Sequence, residues 1–306
     1  TDTLHMLSPE CPRSWLVTGY AGLLLILAVL FGARHMTPRE NHEGLVFALA
    51  LESLFKLIAV GVAAIVLLFN LLPSLPEGNQ WMPQVSDYLN SRTLSPPATP
   101  SYALFLMCLA IAIAMPHTFH ITFTENVSSR ALRLASWAFP LMLLCLSLVV
   151  PPLLWSGKLF TLNVAPEYYS LALAMEMQSP WLTLLVFMGG VAAATVVSVQ
   201  MTLATATMLL NHLLFPHHKP GAANEFYRWL MWSRRLLILM ILGCATTFYV
   251  YIGHSLDLNR LGILACGAAL QFMPGVIGLL YWKGANHRGY ISGLLIGFTI
   301  WSAILL

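Results

Sequence analysis

Long runs of apolar residues alternate along this chain with short polar links. The runs lie at about 15–33, 44–70, 102–124, 132–156, 181–212, 230–253, 259–282 and 289–306. A helix needs roughly 20 apolar residues to cross a bilayer, and the runs are close to or beyond that length. They also lack the regular alternation of outer-membrane strands. The pattern therefore predicts an all-α, polytopic membrane protein with about eight transmembrane helices.

Composition points to the same class of protein. The 306 residues are 58% hydrophobic and 9% charged, with a mean hydropathy of +0.76, whereas a soluble domain carries about 25% charged residues. We expect the lipid bilayer as a partner and no nucleic acid. The five scattered cysteines form no disulfide framework and no zinc site, so we expect no metal centre and interpret them as small hydrophobic residues of the helix core.

The basic residues are concentrated on alternate links, which indicates the orientation. Ten lie in one set of links: Arg34, Arg39, Arg130, Arg133, Lys219, Arg228, Arg234, Arg235, Lys283 and Arg288. Four lie on the opposite side: Arg13, Arg92, Lys158 and Arg260. The positive-inside rule places the first set in the cytoplasm. We therefore expect a multi-pass protein of the cell inner membrane.

Two links on the predicted outer side differ in character. Residues 71–101 are rich in Pro, Ser and Asn and predict an irregular loop. Residues 167–177 read EYYSLALAMEM, which predicts a short helix, either lying over the outer mouth of the protein or on its surface.

The run 181–212 carries a stripe of hydroxyl groups. Thr195, Ser198, Thr202 and Thr205 follow one another at spacings of three, four and three residues, which places them on one helix face. One interpretation is that they bond back to carbonyls of their own helix. The other is that they form a polar wall along a cation or solute path.

The second run contains a charged pair within its apolar sequence. Glu52 and Lys56 are four residues apart, a spacing that suits an ion pair within one helix. Counted from Gly44, Glu52 lies roughly 12 Å into the membrane at 1.5 Å per residue. Such charges usually face the bundle interior, although a neutralised pair whose lysine reaches back to the interface explains the same pattern.

The third run ends in MPHTFHITFTEN. Pro116 removes a backbone hydrogen bond, and broken membrane helices occur where they line a cavity or are buried in protein. His117 and His120 are three apart and share a face, which fits either a solute site or ordinary polar packing. No phosphate loop, nucleophile elbow or kinase motif occurs in these residues, so we assign no catalytic residue, and whether the parent protein is an enzyme stays open.

One stretch near the C-terminal end reads Phe272-x-Pro274-x3-Gly278-x2-Tyr281-Trp282-Lys283-x-Ala285-Asn286-x2-Gly289-x3-Gly293. It resembles a signature of the sodium/solute symporter family. Pro116-His117, followed by a basic hairpin, is similar to a motif in the family's sixth core helix. The run 181–212 resembles its eighth core helix. The resemblance covers residues 1–306 as one transmembrane domain.

The resemblance implies a partial LeuT-type inverted-repeat fold that binds a small solute such as an amino acid. It assigns Thr195, Ser198 and Glu52 to a cation, with sodium or a proton as the coupling ion and no other cofactor. It assigns Pro116, His117, His120 and Thr202 to the solute.

Residues 115–144 and 189–216, with the segment Glu52–Lys56, resemble one branch of that family. In this branch the membrane domain is fused to a sensor histidine kinase. The resemblance implies an input domain with a kinase beyond Leu306 and a response regulator as partner. It also implies core helices before Thr1, so we expect the chain to be part of a longer protein. A stand-alone secondary transporter and a ligand-free structural module are the alternatives.

Overall fold

A computed structural model describes the chain. It covers residues 2–7, 10–32, 43–74, 101–124, 128–159, 162, 164–214, 223–253, 256 and 258–305. Of these residues, 91% are helical and none lies in a β-strand, which confirms the all-α class. Most of the predicted irregular loop, residues 75–100, lies outside the described part of the chain.

The helices follow the apolar runs closely. In chain order they are α1 (Asp2–Leu7), α2 (Arg13–Gly32), α3 (Glu43–Ser74), α4 (Ser101–Ala114), α5 (Pro116–Phe119), α6 (Ser129–Leu159), α7 (Tyr169–Glu176), α8 (Pro180–Leu209), α9 (Ala223–Tyr251), α10 (Leu258–Leu270), α11 (Met273–Tyr281) and α12 (His287–Leu305). Short π-helical turns, His120–Thr124 and Leu210–Leu214, extend α5 and α8.

Six helical stretches of the described residues are long and apolar enough to cross a membrane. They are Arg13–Gly32, Phe47–Leu67, Ser129–Leu154, Pro180–Leu214, Glu225–Tyr251 and Leu258–Tyr281. The bent pair formed by Tyr102–Ala114 and Pro116–Phe123 makes a seventh if it is one span. The eighth predicted run forms the 19-residue helix α12, which is not among the six. The protein is thus a multi-pass membrane protein, and eight crossings stay a prediction.

The chain divides into two compact units. Unit 1 comprises Thr1–Ser86 and Glu125–Thr247, and unit 2 comprises Asp87–Thr124 and Phe248–Leu306. In unit 1, α3 packs antiparallel against α8. Ala63 of α3 clusters with Leu182 and Val186, and an added Cβ at Gly189 would come 2.8 Å from the Cβ of Ala59. A glycine is needed there because the two backbones approach closely.

A second cluster in unit 1 joins α2, α8 and α9. It is built from Leu24, Ala28, Val199, Leu203, Ala206, Leu210, Leu237 and Ile238, all of which are buried. Small residues such as Ala28 and Ala206 let the helices approach, and in a bilayer this packing, rather than escape from water, is a main force between helices.

The short helix α7 is not a surface helix. Tyr169 and the four residues 171–174 are buried, and Leu173 packs with Leu67 of α3 and Leu153 of α6. The ring of Tyr169 occupies the space that a side chain at position 157 would take. The surface-helix interpretation was wrong because EYYSLALAMEM has enough apolar residues to be covered on more than one side.

In unit 2, aromatic residues hold α12 against the α10–α11 segment. The rings of Phe298 and Phe272 meet edge to face with centroids 5.8 Å apart. The indole Nε1 of Trp301 donates a hydrogen bond to the carbonyl of Leu264 at 3.1 Å.

The cysteines are not core residues. Cys11, Cys108, Cys145 and Cys244 are exposed, and Cys266 is half-buried. A thiol is apolar enough to face either lipid or protein, so its place in an apolar run does not predict burial.

Candidate functional site

The residues predicted to bind a cation all lie in unit 1, whereas those predicted to bind the solute are divided between the units, with Thr202 in unit 1 and the other three in unit 2. Thr195, Ser198, Thr202 and Glu52 belong to unit 1, and Pro116, His117 and His120 to unit 2. Each group is described within its own unit.

The hydroxyl stripe of α8 is turned into unit 1. Thr195 and Thr202 are buried, and Ser198 and Thr205 are half-buried. Thr202 donates to the carbonyl of Ser198 at 2.8 Å, and Thr205 donates to the carbonyl of Met201 at 2.7 Å. For these two threonines, back-bonding to the same helix is therefore confirmed.

Thr195 has a different partner. Its Oγ1 lies 3.2 Å from the phenol oxygen of Tyr20, and either group can donate. This bond joins α2 to α8. Because each hydroxyl retains lone pairs, the Tyr20–Thr195 pair presents oxygens of the kind that coordinate hard cations.

The Glu52–Lys56 pair exists as the spacing predicted. Lys56 Nζ lies 3.4 Å from Glu52 Oε1, with the glutamate side chain 4% exposed and the lysine side chain 29% exposed. Ser53 Oγ donates to Glu52 Oε2 at 3.4 Å. Oε1 has no hydrogen-bond partner among the described residues, because the ammonium is near but not aligned for a hydrogen bond. The carboxylate thus has charge compensation and spare capacity to accept hydrogen bonds.

The antiparallel packing of α3 and α8 indicates which residues of α8 lie opposite Glu52. Ala59 contacts Gly189. Glu52 lies seven residues before Ala59, and Val196 lies seven residues after Gly189. Because the two helices are antiparallel, Glu52 and Val196 lie at the same level. Seven residues are about two turns, and thus Glu52 lies on the same face of α3 as Ala59. The glutamate therefore faces α8 within one residue of the level of Thr195.

A buried amide lies on the facing side of α8. Gln200 is eleven residues after Gly189, about three helical turns, and so shares its face. Its side chain is buried. Gln200 is four residues after Val196, so it lies about 6 Å along the helix axis from the level of Glu52. This separation is within the combined reach of a glutamate and a glutamine side chain. We define the polar layer of unit 1 as four polar residues at neighbouring levels along α2, α3 and α8: Tyr20, Glu52, Thr195 and Gln200. Glu52 and Gln200 lie on the facing sides of α3 and α8, whereas Thr195, six residues after Gly189, is about 120° around α8 and bonds to Tyr20 of α2.

Sequence reasoning missed two members of this polar layer. Gln200 is the only amide between Pro180 and Leu210, and that isolation was the available signal. Tyr20 gave no signal, because a single tyrosine in an apolar run is equally typical of an interface anchor.

In unit 2, Pro116 breaks a helix as predicted. Tyr102–Ala114 and Pro116–Phe123 are bent by 52°, and Met115 between them is extended, with φ −67° and ψ 130°. Thr118 Oγ1 donates to the carbonyl of Met115 at 2.9 Å. This hydroxyl, which sequence reasoning did not single out, bonds back to the residue at the break.

His117 lies next to this break. Its side chain is half-buried, and its Nδ1 is buried without a hydrogen-bond partner among the described residues. A buried polar atom left unpaired costs about 1–3 kcal/mol, and a ligand with a polar group would remove that cost. His120 is also half-buried. The described residues include no group of three or more His, Cys, Asp or Glu that could hold a metal.

Comparisons with family models, curated proteins and solved structures found no match to this chain. The resemblance to sodium/solute symporters consequently stays a prediction from the motifs.

Proposed function

We propose that this chain is a symporter-like transmembrane domain of the inner membrane that binds a small polar solute, such as an amino acid, with a coupling cation. In this proposal its helices belong to a partial LeuT-type fold. The cation is sodium or a proton, and the bound solute is either transported or sensed.

The observation that carries the proposal is the polar layer of unit 1. A carboxylate buried within a membrane helix costs free energy, and pairing it with Lys56 offsets only part of that cost. A module that only filled space would be at least as stable with apolar residues there. Glu52, which has one oxygen open to a further partner and faces α8 within one residue of the level of Thr195, supports a cation site in this layer.

The break in unit 2 supports a solute site. Discontinuous membrane helices expose backbone polar groups, and carriers use such positions to bind solutes. The orphan Nδ1 of His117 supplies a side-chain group for the same purpose.

The cation assignment is tested by the effect of sodium on thermal unfolding of the purified chain, with potassium as the reference ion. A ligand present at 100 times its Kd stabilises by about 2.7 kcal/mol. We expect the double variant T195A/S198A to lose the sodium-dependent stabilisation. The matched control T205A/T246A removes two half-buried hydroxyls that only back-bond and should retain it. Equal sodium responses in wild type and T195A/S198A would refute the assignment.

The solute assignment is tested separately with a panel of amino acids in the same unfolding assay. His117→Ala should abolish stabilisation by the best solute, whereas His287→Ala, at an exposed position of unit 2, should not. If no solute stabilises the wild type, the ligand-free structural module becomes the better hypothesis.

Transport and sensing share this binding step and differ in the event that binding triggers. Solute uptake into proteoliposomes by the full-length protein would support a carrier. Dimerisation and ATPase domains encoded after Leu306 would support the input domain of a sensor histidine kinase, with a response regulator as its partner.

A further inference from the structure

The two adjacent arginines of α9 lie about 100° apart around the helix and differ in burial. Arg234 is 4% exposed, and its Nη2 donates to Thr207 Oγ1 of α8 at 3.4 Å. Arg235 is half-buried, and its guanidinium carbon lies 5.5 Å from the centre of the Trp232 ring. The inward face of α9 also carries Leu237 and Ile238, which belong to the core of unit 1.

The outward face of α9 has a defined order of side chains. Arg228, Trp232, Arg235 and Leu239 follow at spacings of four, three and four, so they form one stripe along the helix. Arg228 is exposed, Trp232 is 63% exposed and Leu239 is 52% exposed. From the N-terminal end of α9, the two arginines lie on either side of Trp232, and the apolar residue Leu239 follows them.

No described carboxylate forms an ion pair with either arginine of this stripe. The Nε of Arg235 also has no hydrogen-bond partner among the described residues. Stacking on an indole orders a guanidinium without neutralising it, and it leaves the planar fork that matches a phosphate. The stripe therefore combines positive charge, a rigid donor plane and adjoining apolar surface.

We propose that this stripe binds the headgroup of an anionic phospholipid. Arg228 and Arg235 hold the phosphate, Trp232 lies at headgroup level, and Leu239 contacts the acyl chain. Leu239 is eleven residues, about 16 Å, beyond Arg228 along the axis, which fits a lipid extending from headgroup into hydrocarbon. The predicted orientation places the stripe at the cytoplasmic leaflet, where anionic lipids attract basic residues.

Helix α6 supplies a matched control for this proposal. Arg130 and Arg133 are exposed, belong to the same predicted cytoplasmic set, and precede Trp137, which is 80% exposed. If positive charge near an aromatic anchor were sufficient, these arginines would bind anionic lipid equally well.

The test is native mass spectrometry of the 306-residue chain in non-ionic detergent, titrated with phosphatidylglycerol or phosphatidylcholine of identical acyl chains. We expect tighter binding of phosphatidylglycerol by the wild type. R228Q/R235Q should lose about 30-fold in affinity for it, from two basic contacts, and R130Q/R133Q should stay within about twofold of wild type. Excess inorganic phosphate should not compete, because it has no acyl chain.

Three results would overturn the proposal. The first is equal affinity of the wild type for both lipids. The second is an equal loss in the two double variants, which would mean general charge attraction. The third is competition by inorganic phosphate, which would assign the stripe to a free anion. R235K, which keeps the charge but not the planar fork, should bind phosphatidylglycerol more weakly than wild type, and unchanged affinity would refute the role of the stacked guanidinium.

Discussion

Glu52 and Lys56 form an ion pair whose two members are buried to very different extents, and this difference predicts an asymmetric response to mutation. The glutamate side chain is 4% exposed and the lysine side chain is 29% exposed. Replacing Lys56 by Met leaves a negative charge buried without its partner. Replacing Glu52 by Gln leaves a lysine whose long stem can carry the ammonium toward the interface.

The expected changes in the free energy of unfolding follow from the same geometry. At 3.4 Å and an effective dielectric constant of about 20, the attraction is about 5 kcal/mol before desolvation is subtracted. Breaking a buried pair by removing one partner typically costs about 3–5 kcal/mol, which we expect for Lys56→Met. For Glu52→Gln we expect about 1 kcal/mol or less, because Lys56 is the less buried member of the pair and its flexible stem lets the ammonium change position when the carboxylate is removed. The double variant E52Q/K56M should be more stable than K56M alone.

The assay is thermal unfolding of the purified variants followed by tryptophan fluorescence at neutral pH and constant detergent. At about 2 °C per kcal/mol for a chain of this size, Lys56→Met should lower the apparent Tm by about 6–10 °C and Glu52→Gln by about 2 °C or less. Equal decreases for the two single variants, or a larger decrease for Glu52→Gln, would refute the reasoning. Strictly additive effects in the double variant would show that the two side chains do not interact.

Two further predictions concern the helix contacts of unit 1. Gly189→Val should destabilise by about 1–3 kcal/mol because its side chain meets Ala59, whereas Gly190→Val, where nothing lies within 4 Å, should change the apparent Tm little. Equal effects at the two positions would contradict the close approach of α3 and α8. Tyr20→Phe should cost about 1 kcal/mol by removing the hydroxyl bonded to Thr195. Thr195→Val should destabilise the Tyr20→Phe variant less than it destabilises the wild type. A double-mutant cycle without coupling between the two positions would disprove the hydrogen bond.

Local features of this protein were accessible from its sequence because they depend on residues close together in the chain. The Glu52–Lys56 pair is set by the turn of one helix, and the break at Pro116 is set by a missing backbone donor. The back-bonding of Thr202 and Thr205 likewise needs only their own helix. The positions of the spans are set by the length of each apolar run.

Contacts across a helix interface needed the tertiary structure. Tyr20 meets Thr195 across 175 residues, and nothing near Tyr20 distinguishes it from an interface anchor. The level of Gln200 relative to Glu52 depends on the register between α3 and α8, which follows from the close contact of Gly189 with Ala59. The burial of α7 depends in the same way on the space that Gly157 leaves for Tyr169.

The division between these two kinds of feature has one physical cause. In water, the apolar face of a helix marks its inner side, so sequence periodicity reveals orientation. In a bilayer the surrounding lipid is as apolar as the core, and the inward face is selected by close packing and by a few polar bonds. Thus the sequence alone indicates that these segments are membrane helices, and it identifies the few charged and polar residues within them. The tertiary structure was needed to show that Arg234 is buried against Thr207, whereas Arg235 is half-buried beside Trp232.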